Sequence, residues 1–214
     1  MKKMMVMLLA LYSVAAAGTD VSFGFGGDLG LGLGVGAPGS NMFDGAYAFY
    51  NSPSIGGGGS VGFGLTLGTM VANKVGFSTG AYYRCLLRSF NIYSNAASSA
   101  DTIKAFVTDN SVTFPALIRI GIVEDRIWAE AGVQLGMPFS ASASLRNKRL
   151  GISDRYSDFR PEYDLGIILG VGYYEEGSFR GFRLFIPTAM MDTQNTIPGA
   201  VILSLAFDIP YKVF

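Results

Sequence analysis

Residues 163–174 read Tyr-Asp-Leu-Gly-Ile-Ile-Leu-Gly-Val-Gly-Tyr-Tyr. A β-strand sends successive side chains to opposite faces. One face here carries Leu165, Ile167, Leu169, Val171 and Tyr173; the other carries Asp164, Gly166, Ile168, Gly170, Gly172 and Tyr174. A half-buried strand of a water-soluble sheet turns its apolar face inward and a polar, charged face to water. The second face here is too small and too poor in charge for that surface. It fits the inside of a narrow closed barrel, with the apolar face turned to lipid.

The same two-faced pattern recurs along the chain. Val21, Phe23, Phe25, Leu29, Leu31 and Leu33 oppose Gly24, Gly26, Asp28, Gly30 and Gly32. Val61, Phe63, Leu65 and Leu67 oppose Gly62, Gly64, Thr66 and Gly68, and Phe77, Ala81, Tyr83, Cys85 and Leu87 oppose Ser78, Tyr82, Arg84 and Arg88. Further on, Phe114, Ile118 and Ile120 oppose Pro115, Leu117 and Arg119, while Ala131, Val133 and Leu135 oppose Trp128, Glu130 and Gln134. The stretch at 163–174 is then strand six. Phe182, Leu184 and Ile186 oppose Arg183, Phe185 and Pro187 in strand seven, and Leu203, Leu205 and Phe207 oppose Ser204, Ala206 and Asp208 in strand eight.

Long connections, at residues 36–57, 91–110 and 144–161, alternate with tight ones at 72–74, 124–125 and 176–177; a medium loop, 191–198, precedes the last strand. Long loops on one side and short turns on the other are the arrangement of an up-and-down barrel in an outer membrane. The expected fold is therefore all-β, an eight-stranded antiparallel up-and-down transmembrane β-barrel.

The N-terminus reads as an export signal over residues 1–17, with Lys2 and Lys3, an apolar run, and Ala15-Ala16-Ala17 as the cleavage site. The barrel domain then occupies residues 18–214, and the expected location is the cell outer membrane. The chain has 16 basic and 16 acidic residues, so no polyanion such as nucleic acid is an expected partner. It has no histidine and one cysteine, Cys85. That removes the commonest general base and metal ligand and leaves no disulfide or cysteine cluster. No cofactor is expected. Gly34-x-Gly36-x-x-Gly39 and Gly57-x-Gly59-x-x-Gly62 match a dinucleotide fingerprint in letters only, because neither opens a helix.

This layout, with Phe114-Pro115-Ala116-Leu117-Ile118-Arg119 and with Asp164-Leu165-Gly166 leading to Gly170-Val171-Gly172, resembles the PorT-like outer-membrane β-barrel proteins. The resemblance covers nearly the whole chain after the signal. It implies a small eight-stranded barrel, and the family name implies a partner such as a secretion complex. At the C-terminus Pro210 and Lys212 share the parity of Phe214, a departure from the usual terminal signal read by the barrel assembly machinery.

Inward parity collects Asp28, Glu130, Asp164 and Asp208 with Arg84, Arg88, Arg119 and Arg183, four charges of each sign. A two-residue turn at Glu124-Asp125 sets Arg119 opposite Glu130; the other two tight turns set Arg183 opposite Gly170 and Arg84 opposite Gly62. Opposite charges facing across strands attract, and glycine leaves room for a long arginine. The expectation is a plug of ion pairs in a lumen already too narrow for more than side chains or one small ligand. Asp164 falls near the long-loop end, with Arg88 as a candidate partner. The aromatics Tyr83, Phe90, Tyr93, Phe139, Tyr156, Phe159, Tyr163, Tyr173, Phe179, Tyr211 and Phe214 gather near strand ends, as interfacial girdles do. Arg146, Lys148, Arg149, Arg155 and Arg160 make the most basic loop; lipopolysaccharide phosphates, an acidic partner, or plain solvation all fit it.

Three functions compete. The leading one is a closed scaffold in contact with outer-membrane lipid, acting on a protein partner through long extracellular loops. Uptake of a small apolar ligand is compatible with glycine-rich walls but opposed by the charge plug. An outer-membrane lipase, deacylase or protease is disfavoured, since those chemistries rely on histidine.

Overall fold

The computed structural model describes residues 20–36, 54–71, 74–92, 103–123, 126–147, 151–157, 164–175, 178–188 and 200–213. The strands are β1 (Asp20–Gly36), β2 (Ser54–Val71), β3 (Val75–Ile92), β4 (Ile103–Val123), β5 (Ile127–Asn147), β6 (Ile152–Ser157), β7 (Asp164–Glu175), β8 (Ser178–Pro187) and β9 (Ala200–Val213). Every pairing is antiparallel, β9 pairs with β1, and β4 pairs with β5, so the sheet closes on itself. β6 and β7 both lie along one edge of β5, β6 against Ser142–Asn147 and β7 against Ile127–Gly136. The nine strands therefore occupy eight staves of a closed antiparallel barrel.

All three expected long loops contain strand; residues 54–57 already belong to β2. Residues 103–110 belong to β4, and the stretch expected as the third loop supplies the end of β5 and all of β6. β4 and β5 are each 21 residues long. The physical reason lies in a change of pattern along the barrel wall. Over most of the wall the apolar side chains face out, but at this end Ala105, Val107, Ala141, Ala143 and Leu145 are buried within, while Lys104, Ser140 and Arg146 are exposed. Apart from the exposed Phe106 the sheet here is polar outside and largely apolar inside, as an aqueous sheet is, so a rule that looks for apolar-out alternation passes over it. A bulge at Phe139, where Asn110 pairs with Ser140 and Ser111 with Pro138, exchanges the faces of β5. Gly151, with φ of +66°, supplies a left-handed residue immediately before β6.

The tight connections keep the expected registers. Val71 pairs with Val75 and Glu175 with Ser178. At the third, the Arg126 N–H donates to the Val123 carbonyl at 3.0 Å, and a bulge between Gly121 and Val123 takes up one residue. Arg119 still meets Glu130 across the ladder. In β9 a shift of register sets Lys212 opposite Phe23 and Pro210 opposite Gly24, leaving Tyr211 as an exposed extra residue. The bulge breaks the shared parity of Pro210 and Lys212. Residues 1–17 and Phe214 lie outside the described residues.

The outer face is an apolar belt. Leu31 is 78% exposed, Leu29 64% and Phe63 61%, with Leu165, Ile167, Leu203 and Leu205 each about half exposed. Monomeric water-soluble proteins rarely present apolar patches beyond a few hundred Å². Among the described residues no helix is long and apolar enough to cross a membrane.

Candidate functional site: the ion-paired lumen

Four strands aim charged side chains at one point inside the barrel: Arg119 from β4, Glu130 from β5, Arg183 from β8 and Asp208 from β9. All four are buried, Glu130 to 2% exposure. Arg119 Nε donates to Glu130 Oε2 at 3.2 Å, and its Nη2 donates to Asp208 Oδ2. Arg183 Nε donates to Glu130 Oε1; its Nη2 reaches Glu130 Oε2 at 3.2 Å and Asp208 Oδ2 at 2.8 Å. Each carboxylate thus accepts from both guanidiniums, and the quartet is neutral. The Tyr82 hydroxyl donates to Asp208 Oδ1 at 3.0 Å.

A second cluster lies beside it. Arg84 Nη2 donates to Asp28 Oδ2 at 3.3 Å and to Gln134 Oε1 at 3.2 Å. Arg88 pairs with Asp109 at 3.7 Å. Asp164 opens β7 opposite Gly136, and its side chain lies outside the described residues. Asp109 lies in a stretch that resembles a loop in sequence, yet it shares the inward parity of Thr113, Pro115 and Arg119.

Glycines make room for the carboxylates more than for the arginines. Asp28 pairs with Gly62, Glu130 with Gly170 and Asp208 with Gly26 on neighbouring staves. A Cβ built on those glycines would stand 2.7 Å from Asp28 Oδ2, 2.6 Å from Glu130 Cγ and 2.6 Å from Asp208 Oδ1 respectively. The gap at Gly170, expected to admit Arg183, is therefore filled by Glu130. Each buried carboxylate lies against a position where even a methyl group would collide.

Aromatic rings floor the quartet. Arg119 Cζ is 4.8 Å and Arg183 Cζ 5.1 Å from the Phe179 ring centroid, and Arg119 is 5.9 Å from that of Tyr174. Phe179 is fully buried. This corrects its expected place in an outer girdle; it shares the parity of Arg183 and Phe185, and that parity was the available signal. A guanidinium over an aromatic face gains roughly 0.5–2 kcal/mol, most where water is excluded. Trp128 packs on Tyr174 with centroids 5.2 Å apart. On the opposite side Leu86, Leu117, Ile168, Phe185 and Ile202 form an apolar layer, of which Leu86 and Ile202 were not singled out by sequence.

The residual cavity between these layers, lined by Asp28, Arg84, Gln134 and Ser204 among others, is about 10 Å³. That is the lower limit for a single water. Among the described residues no group of His, Cys, Asp and Glu is placed to hold a metal ion.

The outer positions place as follows. Tyr83 lies between Phe63 and Phe139 at centroid distances of 5.3 and 6.2 Å, and Tyr173 and Tyr211 are exposed. Cys85 is half-buried and lines a depression of about 550 Å³ in the outer wall with Leu29, Leu31, Val61 and Leu87. Arg146 on β5 and Arg155 on β6 are exposed; Lys148, Arg149 and Arg160 lie outside the described residues. The side chains of Phe90, Tyr93, Tyr156, Phe159 and Tyr163 lie there too.

No family model matches the chain, and no curated protein matches it either. Among solved structures it is similar to the crystal structure of Neisserial surface protein A (NspA), at 14% identity, over 89% of this chain and 99% of that one, with a TM-score of 0.37.

Proposed function

We propose that this chain is an integral outer-membrane β-barrel with a closed lumen, a non-enzymatic scaffold that acts through its long-loop end. The observation that carries the reading is the pairing of an apolar outer belt with a charged, filled interior. A charged interior and an apolar exterior invert the order of a water-soluble protein, and suit a wall between lipid and a plugged lumen. The ion-paired quartet supports a structural role for the lumen: the cavity beside it is only about 10 Å³, too small for a solute. The same observation disfavours uptake through the lumen. The extension of β4, β5 and β6, polar on its outer face, supports contact with a partner at that end.

The test is the behaviour of the full chain in the membrane fraction. Extraction only by detergent is expected, with a faster-migrating folded band on gels that shifts on boiling. Release of the chain by carbonate, with no heat-dependent shift, would refute it. Deleting residues 140–157, the part of β5 and β6 beyond the apolar belt, and the other long connections one at a time, followed by pull-down, then tells a partner-binding role from a purely structural one.

A further inference from the structure

The outer face of the long extension brings together three cations that the chain order separates. Reading across the ladders, one row is Asn91, Lys104, Arg146 and Ser153, and the next is Ser89, Phe106, Ser144 and Arg155. Lys104, Arg146 and Arg155 are exposed. Lys104 stands directly opposite Arg146, and Arg155 is on the diagonal from it. Directly opposed side chains have Cβ atoms about 4.5–5.5 Å apart, diagonal ones about 7–8 Å, and like charges so placed repel. Neither row contains a carboxylate; the remaining side chains are hydroxyls, one amide and one ring.

We propose that this face binds the phosphorylated saccharide of a membrane glycolipid, a reading that rests on the outer-membrane placement above. An anion relieves the Lys104–Arg146 repulsion. Arginine grips phosphate oxygens in a planar fork, and the interleaved serines suit sugar hydroxyls. Height selects the source of the phosphate. From Tyr83, in the Phe63–Tyr83–Phe139 cluster, to Ser89 is six residues of β3. At about 3.4 Å per residue and a tilt near 40°, the cations stand roughly 15 Å above the aromatic cluster. The headgroup layer of an ordinary phospholipid is only about 5–7 Å deep. A phosphate borne on a saccharide core reaches the cations while its acyl chains lie along the apolar belt below.

The test uses the full chain, folded in neutral detergent and showing its heat-dependent gel shift. The probe is a rough lipopolysaccharide with a phosphorylated inner core; the same glycolipid after chemical removal of its phosphates is the control. Wild type is expected to retain the phosphorylated form at least tenfold better. The Lys104→Ser/Arg146→Ser/Arg155→Ser variant is expected to lose roughly a hundredfold, the order that three cations near an anionic lipid surface supply. Arg126→Ser/Arg180→Ser, exposed cations at the other end, leaves binding unchanged. Inorganic phosphate at matched ionic strength does not displace the glycolipid. Equal retention of both glycolipids, full binding by the triple variant, or displacement by inorganic phosphate would each overturn the proposal. A chain that shows the gel shift yet fails this test leaves the barrel reading standing, whereas a chain without the shift fails the barrel reading first.

Discussion

Arg119 on β4 and Asp208 on β9 stand on diametrically opposite staves, four steps apart in either direction round the ring, and their side chains meet across the lumen. Burying such a pair brings no certain gain over apolar residues of equal volume, because desolvation offsets the attraction. Removing one partner is different, since it strands the other. Arg119→Met or Asp208→Asn alone is expected to cost about 3–5 kcal/mol. The double variant is expected to fall short of the sum by about 0.5–3 kcal/mol, the coupling of residues in one network. Urea unfolding in detergent, followed by the heat-dependent gel shift, measures both.

Gly170 tests the close approach of Glu130. A Cβ there would stand 2.6 Å from Glu130 Cγ and 3.0 Å from the Phe182 carbonyl oxygen, and backbone cannot swing away as a side-chain end can. Gly170→Ala is expected to destabilise by about 1–3 kcal/mol, as overpacking does. Gly57→Ala is the control. A Cβ at Gly57 meets nothing within 4 Å, and the change is expected to be neutral or stabilising by up to about 1 kcal/mol. Equal effects in the same unfolding assay would contradict the packing described.

Phe179 separates volume from charge contact. Phe179→Ala is expected to cost about 3–5 kcal/mol through the cavity it leaves. Phe179→Leu keeps most of the volume but gives up the aromatic face beneath Arg119 and Arg183, so a smaller loss of about 0.5–2 kcal/mol is expected. Thermal unfolding of the two variants in the same detergent ranks them.

The single tryptophan reports which way a stave faces. Trp128 is buried in the lumen against Tyr174, while Phe182 is 54% exposed on the outer wall. Brominated lipids are expected to quench the wild-type protein weakly and Trp128→Phe/Phe182→Trp strongly. Strong quenching of Trp128 would reverse the assigned faces.

Much of the wall was legible because a period of two, repeated with apolar residues on one face and glycine or single charges on the other, admits few folds. Tight turns transmitted register, so Arg119 opposite Glu130 followed from residue counting. Contacts between non-adjacent staves did not, since nothing in local spacing says that β9 faces β4. That is why the contacts of Asp208 with Arg119 and Tyr82 emerge only in three dimensions. The strands beyond the apolar belt resemble loops in sequence because Thr108, Asn110 and Ser144 are ordinary loop residues until Ala105, Val107 and Leu145 are seen to alternate beneath them. Phe179 was legible in principle: its parity with Arg183 outweighs its nearness to a strand end.

The most direct test of a closed, ion-paired barrel is planar-bilayer recording of the purified wild-type protein after insertion is verified by the gel shift. Insertion without steady conductance is expected, because the quartet, Phe179 and the Ile168–Phe185 layer fill the lumen. Large, steady single-channel conductance from the folded wild-type protein would contradict it.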